Sequence, residues 1–203
     1  MSENRAIKLA VDYGEKIFLI ILAAPFLLAF ARILPTQPHV IAVAMVEMLS
    51  VFFVLIRKPG AITMTPYAIG IALVGTAVPL LARPGGTALL PIAVTSAVMS
   101  AGLLITISAK IALNRSFGLV AANRGIKNSG PYRFVRHPMY LGYIVTEAGF
   151  LLGNFSPRLL AIYAAAWTAQ ALRIVEEERI LRRDPAYAAY SKSVAFRVMP
   201  GLF

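Results

Sequence analysis

The chain reads as an all-α, polytopic transmembrane helical bundle of about six spans, and three observations predict it. Its 203 residues are 59% hydrophobic and only 14% charged, where a soluble globular domain carries about 25% charged residues. Acids are absent from Met48 through Thr146, too long an interval for a water-facing domain to lack all negative charge. Six apolar stretches recur, near 17–34, 40–56, 66–82, 91–113, 138–153 and 157–174, and a helix rising 1.5 Å per residue needs roughly 20 residues to cross the hydrocarbon core. The shorter stretches must be kinked, locally thinned around, or incomplete crossings.

Helix breakers separate the stretches: Pro35 and Pro38; Pro59 and Gly60; Pro84, Gly85 and Gly86; Gly125, Gly130 and Pro131; then Asn154, Ser156 and Pro157. Thr65 before Pro66 and Ser156 before Pro157 pair a capping hydroxyl with proline at the first helical position. Those two helix starts are the best defined. In the first stretch Ala29, Phe30 and Ala31 imitate a signal-peptide cleavage site, but Glu3, Asp12 and Glu15 precede it, which favours a retained span.

Six spans place both ends of the chain on one side, and the basic residues test that arrangement. One face collects 17 of the 20 Lys and Arg residues, leaving only Arg32, Arg83 and Arg158 for the other. Such a bias marks the cytoplasmic side. It also accounts for the net charge of +11 without nucleic acid as a partner. With no cysteine and two histidines far apart, thiolate chemistry is excluded and a metal site is not expected. No dinucleotide-binding or P-loop glycine pattern occurs.

The first 113 residues read as a four-span membrane support, polar in its interior only at Glu47. An acid inside a span is a functional candidate by default, although a hydrogen bond to a neighbouring helix also explains one, and Glu147 in the fifth span poses the same question. From Asn114 the texture changes. A basic, glycine-bearing loop leads into Gly130-Pro131-Tyr132-Arg133-Phe134-Val135-Arg136-His137-Pro138-Met139-Tyr140-Leu141-Gly142. Pro138 suits the first turn of a helix, which puts His137 at the helix start and Tyr140 about one turn further on. Unpaired amides of a first turn attract an anion. An interfacial belt of Tyr, His and Arg is the plainer explanation.

The sixth span closes on Arg173-Ile174-Val175-Glu176-Glu177-Glu178-Arg179-Ile180-Leu181. Arg173 and Glu177, four apart, share a helical face, while Glu178 points roughly 100° away. Most charge runs are solvated helix ends. Three adjacent acids, however, repel one another and suit a cationic visitor. Asp184 and Pro185 then cap a short helix that carries Tyr187 and Tyr190 on one face.

Together these elements resemble the isoprenylcysteine carboxyl methyltransferase family and its wider relatives, integral-membrane methyltransferases that include phospholipid N-methyltransferases. The resemblance covers about residues 113–203. It rests on the run from Gly130 to Gly142, Asn154, the Arg-Ile-x-x-Glu-Glu-x-x-Leu run from Arg173 to Leu181, Tyr187 with Tyr190, and the closing Pro200-Gly201. It implies that residues 114–203 form a cofactor-binding and catalytic region, in which a two-span hairpin is closed by the C-terminal segment around a cofactor pocket. It also implies S-adenosyl-L-methionine as methyl donor, Arg173 and Glu177 as catalytic residues, and His137, Pro138, Tyr140, Leu141, Glu178 and Tyr190 as cofactor-binding residues. The residues themselves agree with that donor, since a sulfonium, an ammonium and a flat adenine call for carboxylates and aromatic faces. Glu176 stands where the family usually has an apolar residue.

The expected activity is methyl transfer to a lipid-borne, prenylated or small apolar acceptor, through a carboxylate, amine or thiol. The expected setting is a bacterial inner membrane or endoplasmic reticulum, with the site facing the cytoplasm and membrane lipid as a partner. Two other classes compete. A sterol-type membrane reductase using NADPH shares a similar C-terminal half, but its phosphorylated cofactor would want arginines where Glu176 to Glu178 stand. A non-catalytic transporter or scaffold lacks support from an inverted repeat or paired broken helices.

Overall fold

Each predicted apolar stretch becomes a helix. The computed structural model describes residues 3–55, 65–113 and 128–201, and among them the architecture is wholly helical. In chain order the α-helices are α1 (Glu3–Ile33), α2 (Ile41–Leu55), α3 (Pro66–Ala77), α4 (Ile92–Leu113), α5 (Pro138–Gly153), α6 (Pro157–Leu181) and α7 (Pro185–Ser193). The expectations for Pro59, Gly60, the loop from Asn114 to Gly125, and the basic residues Arg57, Lys58, Arg115, Arg124 and Lys127 lie outside the described residues.

The proline starts are capped as the sequence predicts. Thr65 Oγ1 accepts from the Ala68 amide and Ser156 Oγ from the Leu159 amide, each at 3.2 Å. Asp184 Oδ1 accepts from the Ala186 amide at 2.9 Å and opens α7. These caps satisfy amide donors that would otherwise lie free at a helix start.

Two helical segments are long and apolar enough to cross a membrane, Lys16–Ile33 and Ile92–Leu113, with only 22% and 28% of their windows buried. That low burial separates them from the core helices of a soluble protein. Ile21, Leu28, Leu104 and Ile111 are all more than 60% exposed, an apolar surface that water does not favour. The other four predicted spans also coincide with helices, but α2, α3 and α5 are shorter than a bilayer crossing, and α6 ends in charge.

The tightest helix pair is α4 against α5. They run antiparallel, and glycine makes the approach possible: a Cβ on Gly102 would sit 2.5 Å from the Thr146 amide nitrogen, and one on Gly142 would sit 2.7 Å from that of Thr106. Small residues let backbones meet where lipid supplies no hydrophobic drive for helices to associate. At the far end of α5 the loop before α4 docks on residues 152–155. Thr87 and Phe155 exchange backbone hydrogen bonds of 2.9 Å, and the Gly85 amide donates to Asn154 Oδ1 at 3.2 Å. Gly86 there has φ +147°, and a Cβ would meet the Phe155 carbonyl oxygen at 2.5 Å. Asn154, part of the resemblance, therefore pins a turn about 24 Å along α5 from Pro138.

Candidate active site

The start of α5 and the end of α6 meet at one end of the bundle. Tyr140 and Arg173 face one another there, the guanidinium carbon 5.5 Å from the ring centroid, within cation–π range. Tyr140 Oη donates to Glu177 Oε2 at 3.4 Å. α3 supports the arginine from its other side: Nη1 donates to Thr76 Oγ1 at 3.3 Å, and a Cβ on Gly75 would lie only 3.0 Å from Arg173 Cδ. A narrow crevice is lined by Ala68, Ile71, Ala72, Tyr140, Arg173, Glu176 and Glu177 and has room for about one water. The structure brings Arg173, Glu177 and Tyr140, all named from the sequence, to one crevice. The sequence did not anticipate Thr76 or the glycine opposite Arg173.

Glu178 has different surroundings. Arg136 Nε donates to its Oε1 at 2.6 Å, while Arg197 Nε and Arg182 Nη2 donate to Oε2 at 3.1 and 3.2 Å. Tyr187 Oη adds a 3.4 Å hydrogen bond. Burial alone would raise this carboxyl, but His137, Arg136 and Arg197 more than reverse that and hold it well below the usual carboxylate range. Arg136 also donates to the carbonyls of Val194 and Ala195 at 2.6 and 2.7 Å. The backbone amides of Arg136 and His137 donate to the carbonyls of Phe196 and Arg197 at 2.9 and 2.7 Å. Glu178 is thus the centre of a clasp that fixes the C-terminal tail against the start of α5. Glu176 lines the crevice and pairs with Arg179.

His137 is buried beside this clasp. Its Nε2 lies 3.4 Å from Glu178 Oε1 yet makes no hydrogen bond in good geometry among the described residues. A buried nitrogen with only a poorly aligned carboxylate oxygen beside it fits a site that takes a polar ligand. Pro138 is buried at the first turn, and Leu141 packs on the apolar cluster around Met139 and Tyr143. The amides of Tyr140 and Leu141 both donate to the His137 carbonyl. They are not the free anion-binding donors that their position in the first turn suggested.

Tyr190 reaches the same region from α7. Its Oη donates to the Tyr132 carbonyl at 2.6 Å, and burial, with Arg136 opposing and Glu178 adding, pushes the phenol up to about 12. It stays protonated at neutral pH. A polar cleft beside it, of about 490 Å³, is lined by Asn128, Arg133, Ala186, Ala189, Tyr190, Ser193 and Val194. An apolar groove of about 590 Å³ runs between α3 and α6, along Tyr67, Gly70, Ile71, Val74, Ala164, Ala165, Thr168, Ala169 and Leu172. Ile71 lines both groove and crevice.

Residues 97–183 match the model of the isoprenylcysteine carboxyl methyltransferase family. The resemblance read from the motifs therefore holds from within α4 to just past α6, a segment that carries His137, Tyr140, Arg173, Glu177 and Glu178. Tyr190 and the tail lie beyond the matched residues. The match covers 87 of the 203 residues, and it is to a family of carboxyl methyltransferases. No curated protein matches the chain, and no solved structure does.

Proposed function

We propose that the protein is a multi-pass membrane methyltransferase that uses S-adenosyl-L-methionine to methylate a lipid-borne or small apolar acceptor at the cytoplasmic membrane surface. The observation that carries the proposal is the Arg173–Tyr140–Glu177 group, set in a crevice that shares Ile71 with an apolar groove.

When bound, S-adenosyl-L-methionine would supply a methyl group already activated by its sulfonium. His137, Tyr140 and Tyr190 would hold it, His137 through its buried Nε2 and the tyrosines through their faces. Pro138 and Leu141 would shape the wall, and Glu178 would act by locking the tail. The chain's own task is alignment and exclusion of water, effects that reach on the order of 7 to 11 kcal/mol in ideal cases. Arg173 would orient the acceptor, its guanidinium fixed between Thr76 and the Tyr140 ring. Glu177 would orient the donor, or take a proton where the acceptor is an ammonium. A carboxylate or thiolate acceptor needs no base.

The groove between α3 and α6 favours a lipid-borne acceptor over a water-soluble one. Its lining is almost entirely apolar and rich in Gly and Ala, so a chain can lie against the helix backbones with its head at Arg173. In this reading residues 1–113 form the support and 114–203 the catalytic region, with α3 contributing to the acceptor's path.

Isothermal titration of the protein in detergent decides between cofactor classes. Binding of S-adenosylhomocysteine without binding of NADPH is the expected result. The reverse would overturn the methyltransferase reading in favour of a reductase. A labelled-methyl assay on native membrane extract would then identify the acceptor.

A further inference from the structure

Behind the crevice lies a pair of buried charges that the chemistry above does not use. Lys110 of α4 is fully buried and Glu47 of α2 is 6% exposed, and the two interact electrostatically. An ammonium within a membrane-spanning helix is costly to keep. A counter-ion lowers that cost, but two apolar residues would avoid it altogether. The pair therefore calls for an explanation beyond holding α2 to α4.

Its neighbours suggest one. Lys110 Nζ sits 4.9 Å from the centroid of the Tyr143 ring. Tyr143 meets Tyr140 edge to face, with centroids 6.0 Å apart and planes at 87°. Tyr140 in turn carries Arg173 against its ring and Glu177 on its hydroxyl. Lys110 also acts electrostatically on Arg173 as a like charge. Lys110 and Arg173 thus sit at opposite ends of a two-ring ladder, the first within electrostatic reach of Glu47 and the second lining the crevice.

We infer that Lys110, anchored by Glu47, is a positioning residue: through Tyr143 and Tyr140 it keeps the Arg173 guanidinium at the crevice. The cation on Tyr143 fixes that ring, the ring's edge fixes Tyr140, and repulsion between the cations disfavours retreat of Arg173 into the bundle. The inference rests on the methyltransferase reading for its effect on turnover, but not for its effect on geometry.

The test separates positioning from structural support. Glu47→Gln/Lys110→Met removes both charges and leaves no buried ion unpaired, so a purely structural pair predicts a folded, active protein. Positioning predicts otherwise. In protein labelled with ¹⁵N-arginine, the Arg173 Nε–Hε resonance is assigned by its loss in Arg173→Lys, and the Tyr140 ring current should shift it upfield. That shift should persist in Lys110→Arg and collapse in the double variant. Methyl transfer at saturating acceptor should then fall on the order of 10- to 100-fold, with S-adenosylhomocysteine affinity unchanged. Tyr143→Leu cuts the ladder while leaving the ion pair intact, and should move the same resonance should the double variant fail to fold. An unmoved Arg173 resonance in either variant, once folded, overturns the proposal. Absence of S-adenosylhomocysteine binding by the unaltered protein would instead end the methyltransferase reading, and the resonance experiment would still decide the positioning.

Discussion

Glu177 and Glu178 are neighbours in sequence, yet they belong to two regions of the molecule with opposite electrostatic designs. Glu178 meets three arginines, a tyrosine and a nearby imidazole, and is 2% exposed. Glu177 lines a crevice and shares the Tyr140 hydroxyl. The 100° step between successive helical residues makes the division possible. A run of acids is therefore not one feature. One carboxylate closes the fold around the tail, and its neighbour faces the place where chemistry is proposed.

Glu178→Ala should produce the largest effect. It leaves Arg136, 6% exposed, without its carboxylate, and breaking a buried pair in this way costs about 3–5 kcal/mol. The tail should loosen with it, because Arg136 organises the carbonyls of Val194 and Ala195. Thermal unfolding in detergent should show a markedly lower midpoint. Proteolysis should reach the tail first. A midpoint equal to the unaltered protein's would mean that the clasp contributes nothing.

Arg173→Ala and Glu177→Gln should do the opposite, sparing the fold and removing function. A loss of about 100-fold in methyl transfer, near 2.7 kcal/mol in barrier, is expected for Arg173→Ala, with an unfolding midpoint close to that of the unaltered protein. Glu177→Gln keeps the shape and should lose less where the acceptor needs no base. Unchanged transfer in both variants would make the crevice an ordinary solvated helix end.

The sequence resolved these two regions unevenly, and contact range explains why. Caps at Thr65, Ser156 and Asp184 were legible because each joins residues two or three apart. Arg173 with Glu177 was legible because four residues make one helical turn. The clasp was not, since Glu178 draws on Arg136 across 42 residues and on Arg197 across 19. Thr76 lies 97 residues from the arginine it supports. Glu47 stood out as a charge within a span, whereas Lys110 was counted with the basic residues of one face, and periodicity says nothing about which spans adjoin. Residues 1–113 therefore read as plain support, although Thr76 and Gly75 lie against Arg173 and Lys110 lies over the Tyr143 ring.

Acid separates the two regions by a smaller effect than truncation does. Glu178 lies past the apolar stretch 157–174, and its folded-state carboxyl titrates below the ordinary range. A depressed carboxyl contributes stability that is complete above its unfolded value, about pH 4.3, and is lost as pH falls through the folded value. Stability should therefore be flat in pH on this account near neutrality and decline only below about pH 4.3. The decline should be smaller than the loss in Glu178→Ala, because a protonated carboxyl still fills its place and still accepts hydrogen bonds. In Glu178→Gln this part of the acid slope should vanish, whereas Glu177→Gln should leave it intact. Unfolding midpoints of the three proteins between pH 3 and pH 7 would show whether the clasp, rather than the crevice, sets the acid limb.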